Sequence, residues 1–290
     1  MKISFQKNNR KFSEIFLGAL TWGAALLMCA VLIYIVGFIV WRGAPYLKPS
    51  LFSPVYNSVN VSLLPALVST VYMTVFALAL ALPFGLGAAV YLAEYARRGR
   101  KVVRMIRLAT ETLAGIPSII HGLFGMLFFV TYLGWGFSLL AGVFTLTVMI
   151  LPLIMRASEE ALLATPDSYR EGAFALGAGK LRVVFRIVLP AAAPGVLAGV
   201  ILAVGRIVGE TAALIYTAGT VAQMPFAETG PPLVDVFSSV RTLSVHMYAL
   251  TREGLHTNEG FATAATLLIV VIAVNAAAAR LAGRVGRNGA

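Results

Sequence analysis

Six stretches of the chain are apolar for long enough to cross a bilayer: Leu17 to Trp41, Ala66 to Ala93, Leu113 to Leu133, Phe137 to Met155, Val196 to Ala218 and Phe261 to Ala279. A hydrocarbon core about 30 Å thick takes roughly 20 apolar residues per helical crossing, so each run reads as one helix. The pattern predicts an all-α integral membrane protein with six transmembrane helices. The third and fourth runs are separated by Gly134, Trp135 and Gly136 with no charge between them, which predicts a tight helical hairpin. Tyr132 and Trp135 suit the membrane interface at that turn. Pro83, Pro117 and Pro152 fall inside spans or at their edges, where freed carbonyls need neighbouring helices, so kinks facing a bundle interior are expected.

The polar positions between these runs set the orientation, because short cytoplasmic loops retain Lys and Arg. Lys2, Lys7, Arg10 and Lys11 precede the first run, and Arg97, Arg98, Arg100, Lys101, Arg104 and Arg107 lie between the second and third. Arg156, Arg170, Lys180, Arg182 and Arg186 lie between the fourth and fifth, and Arg280, Arg284 and Arg287 follow the last. The alternate loops hold Arg42 and Lys48, then Arg241 and Arg252 balanced by Glu228, Asp235, Glu253 and Glu259. Both termini are therefore expected inside. Composition agrees: 59% of the 290 residues are hydrophobic and 12% charged. The net charge of +11 falls between apolar runs and not on an aromatic-studded face, so it reads as a topology signal and not as a nucleic-acid surface. The single cysteine, Cys29, lies within the first run and excludes a disulfide framework or cysteine metal cluster. That run is longer than a signal-peptide core and reads as a retained helix.

The connection from Glu159 to Pro194 is too polar to span and too apolar for a loose linker. Thr165-Pro166-Asp167-Ser168 starts a short amphipathic helix over Tyr169 to Leu176, and Gly177-Ala178-Gly179 breaks it before Leu181 to Leu189. Periodicity alone fits an interfacial helix on lipid as well as one that docks into a partner. The spacing is more informative. Glu171-Gly172-Ala173 is followed after three residues by Gly177 and after nine more by Ile187, Val188, Leu189 and Pro190. This resembles the cytoplasmic Glu-Ala-Ala loop of ABC-type importer permeases, with Gly172 in place of the usual alanine. That change lowers helix propensity by about 1 kcal/mol and should leave the segment slightly less rigid. The resemblance implies a type I importer permease fold, and a loop that docks into a separate ATPase, with Glu171 and Gly177 foremost in that contact. On this reading residues 1–65 are an N-terminal tail, first helix and outer loop, 66–280 the permease core, and 281–290 a cytoplasmic tail.

A second motif puts full charges in an apolar run: Gly205-Arg206-Ile207-Val208-Gly209-Glu210-Thr211. A central charged residue costs roughly 2.5 to 3.5 kcal/mol even on lenient insertion scales, so Arg206 and Glu210 should face the bundle interior or a wet cavity. Four residues apart on a continuous helix, they would share one face. A self-contained ion pair and a solute path both fit. Arginine presents a planar fork suited to oxyanions, and Glu210 could hold it or accept a hydrogen bond from a monohydrogen anion. The wording of this segment is similar to phosphate-importer permeases of the Pst family. So are Gly115-Ile116-Pro117-Ser118-Ile119-Ile120-His121-Gly122-Leu123-Phe124-Gly125 and, pointing to the PstA branch, Arg241-Thr242-Leu243-Ser244-Val245-His246. The resemblance runs from about Pro65 to the C-terminus. It implies phosphate as solute, a PstC-like second permease, a PstB-like ATPase dimer, a PstS-like external phosphate-binding protein, and residence in the bacterial cytoplasmic (inner) membrane among its lipids.

Other chemistries find no support. Gly177-Ala178-Gly179-Lys180 is not a phosphate loop, because Phe174 and Leu181 stand where that pattern needs Gly and Ser or Thr. No serine elbow or paired acids suggest an enzyme, no cofactor is implied, and His246 and His256 match no metal-ligand spacing. His121 reads as a packed neutral imidazole. An arginine fork does not by itself separate phosphate from sulfate or molybdate. A secondary transporter would show inverted repeats or broken half-helices, neither legible in the sequence. A phosphate-sensing scaffold would use the same loops without transport.

Overall fold

The protein is described here from a computed structural model, in which residues 2–96, 99–226 and 234–288 are placed. Arg97, Arg98 and Glu228, used above for topology, lie outside these residues. The described chain is helical: α1 Lys2–Gly43, α2 Leu64–Val90, α3 Lys101–Gly115, α4 Ser118–Gly125, α5 Leu139–Leu163, α6 Asp167–Ala175, α7 Lys180–Val183, α8 Leu189–Gly209, α9 Ala212–Ile215, α10 Leu243–Glu253 and α11 Thr257–Asn288. Wider π-helical turns extend α2 over Tyr91–Tyr95 and α4 over Met126–Tyr132, and join α7 to α8 over Val184–Val188.

Five helices are long and apolar enough to cross alone, and the pair Lys101–Gly115 and Ser118–Tyr132 makes a sixth if it counts as one span bent by 99°. The third run therefore does not form one helix over Leu113 to Leu133 as expected. Its first residues end α3, and a new helix begins at Ser118. Proline crowds the residue before it out of the α region, and Ile116 is accordingly extended, with ψ 131°.

Helix α5 forms the centre, packed between α2 and α8. Without a water-driven hydrophobic effect between lipid-embedded helices, close approach has to supply the attraction. Gly195 and Gly199 of α8 lie directly against Ala161 and Ala157 of α5, so small residues four apart meet on both sides. Gly85 of α2 likewise faces Ile154 of α5. Met73, Ala77, Leu146, Ile150, Ile154, Ala203 and Ile207 fill the core between these three helices. Helix α1 stands outside and is held at its far end, where Phe38 meets Phe261 edge-on at 5.8 Å and Arg42 lies over both rings.

The two ends of the bundle differ. At one, α3, the end of α5, α6 and α7 gather the basic residues, with Arg107 Nη2 2.6 Å from Glu159 Oε1. At the other, α10 folds over the start of α2, where Leu243 N donates to Thr70 Oγ1 at 2.8 Å. There Arg241 stacks over Tyr56 at 4.7 Å and Tyr56 meets His246 edge-on at 6.0 Å. Burial, with Arg241 as a second cause, pushes the His246 pKa down to about 3. The imidazole is neutral when folded, while an unfolded chain protonates it near pH 6.5, so stability is lost as pH falls from about 6.5 towards 3. At pH 5 the loss amounts to about 2 kcal/mol. A His246→Phe variant, which keeps the ring edge against Tyr56, should unfold at nearly the same temperature at pH 7 and pH 5, whereas the wild-type midpoint falls. Thermal unfolding in detergent at the two pH values checks this.

Candidate functional site

Two regions carry the residues singled out in the sequence. The first is the charged segment of the fifth run, and here the structure corrects the expectation. Helix α8 stops at Gly209; Glu210 is extended (φ −72°, ψ 126°), and a single new turn, α9, starts at Ala212. Arg206 and Glu210 therefore do not share a helical face, and among the described residues they form no ion pair. Glu210 is instead buried and built into the break. Its Oε1 accepts from Ala213 N at 3.0 Å, capping the following turn, and its carbonyl accepts from Ser244 Oγ at 2.6 Å. The carboxylate does what Asp or Ser does at an ordinary helix start, satisfying a donor that lipid could not.

Arg206 occupies the last turn of α8 and makes no hydrogen bond or ion pair among the described residues. The neighbouring positions show what it faces. Ala203, Val204, Ile207 and Val208 are buried against the core, whereas Leu202 is 62% exposed and a Cβ at Gly205 or Gly209 would meet nothing within 4 Å. Arg206, itself half-buried, thus shares the unfilled side of a broken helix. Such breaks are tolerated at membrane depth where they line a cavity or are covered by protein. Across the break, Gly122 of α4 touches Ala213 of α9, and the adjacent His121 is buried.

The second region is the hairpin at the basic end: α6 runs Asp167–Ala175 and a turn leads into α7 at Lys180, close to expectation. The second helix, however, does not stop at Leu189 and runs on through Val184–Val188 into α8, so Lys180–Gly209 is one helix and not a short helix followed by a separate span from Val196. Its geometry explains the motif. Gly177 has φ +79°, its N–H donates to Phe174 O at 2.9 Å, and Ala178 N–H donates to Ala173 O at 3.1 Å. These two bonds form a Schellman motif, which needs a left-handed residue at Gly177 and an apolar contact between Ala173 and Ala178. Ala173 is buried and Ala178 packs into the same cluster. The four-residue spacing of Ala173 and Gly177 is thus a helix stop. Glu171 and Gly172 lie on the exposed side, with Phe174 48% and Leu176 91% exposed, an apolar and acidic surface that none of the described residues covers. Ile187 and Leu189 are partly buried where the hairpin returns into α8, and Pro190 is exposed in its first turn.

Sequence reasoning missed the side chains beneath this surface. Arg170, beside Glu171, turns inward and pairs with Glu94 at 2.7 Å across 76 positions of sequence. Lys180 Nζ lies 4.6 Å from the ring centre of Tyr95, the next residue along. A basic residue in an amphipathic helix gives no sign of such a partner.

Residues 81–288 match the family described as binding-protein-dependent transport system inner membrane component. The chain belongs to this family. The permease is 32% identical over 282 residues to the probable ABC transporter permease protein YqgI of Bacillus subtilis, covering 93% of this chain and 95% of that one. It is 36% identical over 219 residues to the phosphate transport system permease protein PstA 1 of Mycobacterium tuberculosis, covering 74% and 69% respectively. Among solved structures, an alginate ABC transporter chain superposes with a TM-score of 0.61 at 14% identity, covering 94% of the permease and 97% of that chain. A chain of the inward-facing MetNI methionine ABC transporter gives 0.57 at 24%, covering 75% and 93%. The permease is a multi-pass protein of the bacterial inner membrane with the type I importer fold. The broken helix at Gly209 and the bend at Pro117 show that such breaks do not separate secondary transporters from importers; family membership does.

Proposed function

We propose that this permease passes inorganic phosphate into the cytoplasm by alternating access, driven by ATP hydrolysis on a separate subunit. The observation that carries the solute path is Arg206 on the unfilled face of a broken helix, without a hydrogen bond or ion pair among the described residues. Its planar fork suits a tetrahedral oxyanion, and one arginine without a fixed partner can bind and release. Glu210 keeps the break in shape through its hydrogen bond to Ala213 and so fixes where Arg206 stands. Similarity to proteins named as phosphate permeases supports phosphate over sulfate or molybdate.

At the basic end, the exposed face of Glu171, Gly172 and Phe174 docks into an ATPase subunit, with Gly177 setting the angle of the return through Ile187, Leu189 and Pro190. A PstC-like second permease closes the unfilled face of α8, two PstB-like ATPase subunits bind the hairpins, and a PstS-like binding protein delivers phosphate from outside. The ATPase activity resides in those partners. The core spans residues 66–280.

Uptake of radiolabelled phosphate in cells with this chain deleted and then restored tests the reading, with unlabelled sulfate and molybdate as competitors. Loss and recovery unaffected by the competitors supports phosphate; competition by either transfers the assignment to that anion. Arg206→Gln should lower uptake at least about tenfold, the scale of a lost charge-assisted hydrogen bond, with the complex assembled normally. Full-rate transport by an assembled Arg206→Gln complex would remove Arg206 from the path.

A further inference from the structure

The Arg170 side chain is only 15% exposed although its helix lies on the surface. Each of its N–H donors is committed. Nε and Nη2 reach Glu94 Oε1 at 3.0 and 2.7 Å, Nη2 also donates to Leu162 O at 2.8 Å, and Nη1 donates to Thr165 O at 2.7 Å and Asp167 Oδ1 at 3.2 Å. The acceptors come from three different elements. Glu94 lies in the π-helical end of α2, Leu162 and Thr165 offer carbonyls at the end of α5, that of Leu162 also accepting from Thr165 N at 3.3 Å, and Asp167 starts α6 itself. The last carbonyls of a helix have no partner within it, and a cation there also meets the negative end of the helix dipole.

The next residue of α2 repeats the grip on the far side of the turn. Tyr95 lies under Lys180, the first residue of α7, so consecutive residues of α2 hold the hairpin before and after Gly177-Ala178-Gly179. A buried ion pair adds little net stability compared with apolar packing, because desolvation offsets most of the attraction. What the arrangement does supply is rigidity between elements. The planar guanidinium fixes the angle of every acceptor around it, which the flexible, single-point ammonium of lysine does not.

We infer that Arg170 and Glu94 form the joint through which movement of the docked α6 is passed to α2, making Arg170 a positioning residue for coupling. This rests on the reading of the hairpin as the ATPase-docking element. When the docked surface of α6 is displaced, the saturated guanidinium carries the ends of α2 and α5 with it. If the joint is loosened, the ATPase still binds and turns over, but α2 no longer follows.

The test uses the complete importer, this chain with the permease and ATPase subunits that co-purify with it, in a Cys29→Ala background. Leu176→Cys, 91% exposed beside the docking face, first reports docking by cross-linking to the ATPase subunit; absence of the cross-link overturns the docking reading and the inference with it. Gly87→Cys, on α2, then reports movement as the ATP-driven change in its rate of maleimide labelling. In Arg170→Lys and in Glu94→Gln the cross-link and ATP hydrolysis should stay within about twofold of wild type, while the ATP-driven labelling change falls about tenfold, within the range of coupling changes produced by single substitutions. A labelling change per ATP equal to wild type overturns the inference, as does parallel loss of cross-linking, hydrolysis and labelling, which would mark a structural staple. An α2 label insensitive to ATP in the wild type also overturns it. Should Arg170→Lys fail to assemble, Glu94→Gln, which keeps a neutral acceptor in place, decides.

Discussion

Gly122→Ala is expected to disassemble the region around the charged break, although it adds a single methyl group. A Cβ at Gly122 would stand 2.6 Å from the Ala213 Cα and 3.1 Å from its carbonyl oxygen, so the obstacle is backbone and no side chain can rotate away. Ala213 is also the residue whose N–H is held by Glu210 Oε1. Helix α4 would have to move off α9, or α9 would have to pull away from the carboxylate that caps it, leaving a buried donor unsatisfied. Overpacking of this kind costs about 3 kcal/mol, with a further 1 to 3 kcal/mol if the hydrogen bond is lost. Gly115→Ala is the control, because a Cβ there meets nothing within 4 Å. Thermal unfolding of the purified complex should show a much lower midpoint for Gly122→Ala and little change for Gly115→Ala, with uptake falling only in the former. An unchanged midpoint for Gly122→Ala would mean that α4 and α9 are not in rigid contact.

What the sequence made legible follows physical range. Length of apolar run is a local property, and the spans around Ala66 to Ala93 and Phe261 to Ala279 lie within α2 with its π-helical end and within α11. The helix stop at Gly177 was legible because Gly177-Ala178-Gly179 in a polar connection marks a break, although of the two glycines only Gly177 takes the left-handed conformation. The breaks at Pro117 and Gly209 were not. Run length says nothing of direction, and a proline at the edge of an apolar run reads equally as a kink or a corner. At Gly209 no residue forbids the helix from continuing. The helix ends there because Glu210 gains a partner in Ala213 and Ser244 gains one in the Glu210 carbonyl, and Ser244 is 34 positions away. Helical periodicity put Arg206 and Glu210 on one face; tertiary hydrogen bonding separated them. The pairing of Arg170 with Glu94 was hidden for the same reason, since nothing local tells a solvated arginine from a buried one.

Gly177→Val is expected to uncouple the importer without unfolding its membrane core. No atom would be struck by a side chain at this exposed position, so the effect comes from the backbone alone. At φ +79° a β-branched residue is a steric outlier, and holding it there costs about 2 to 3 kcal/mol. The core cluster around Met73, Ile150 and Ile207 does not include this turn; Ala173 and Ala178 touch only the smaller cluster at the basic end, so the chain can relax locally by abandoning the left-handed conformation. Doing so breaks the bonds from Gly177 N to Phe174 O and from Ala178 N to Ala173 O, and with them the angle between α6 and α7. A docking surface correctly shaped in only a small fraction of molecules has its apparent affinity reduced by that fraction, which for this strain is about 30-fold to 150-fold. Less ATPase subunit should therefore co-purify with Gly177→Val, and uptake should fall in proportion, while the unfolding temperature of the permease stays near the wild-type value. Gly177→Asn separates the backbone requirement from any need for a bare surface, because asparagine adopts the left-handed region more readily than other residues with a side chain. It should recover most of the lost uptake. Failure of asparagine to do so, with the hairpin intact, would show that the ATPase packs directly against the glycine, and that the Schellman turn is not what the position serves.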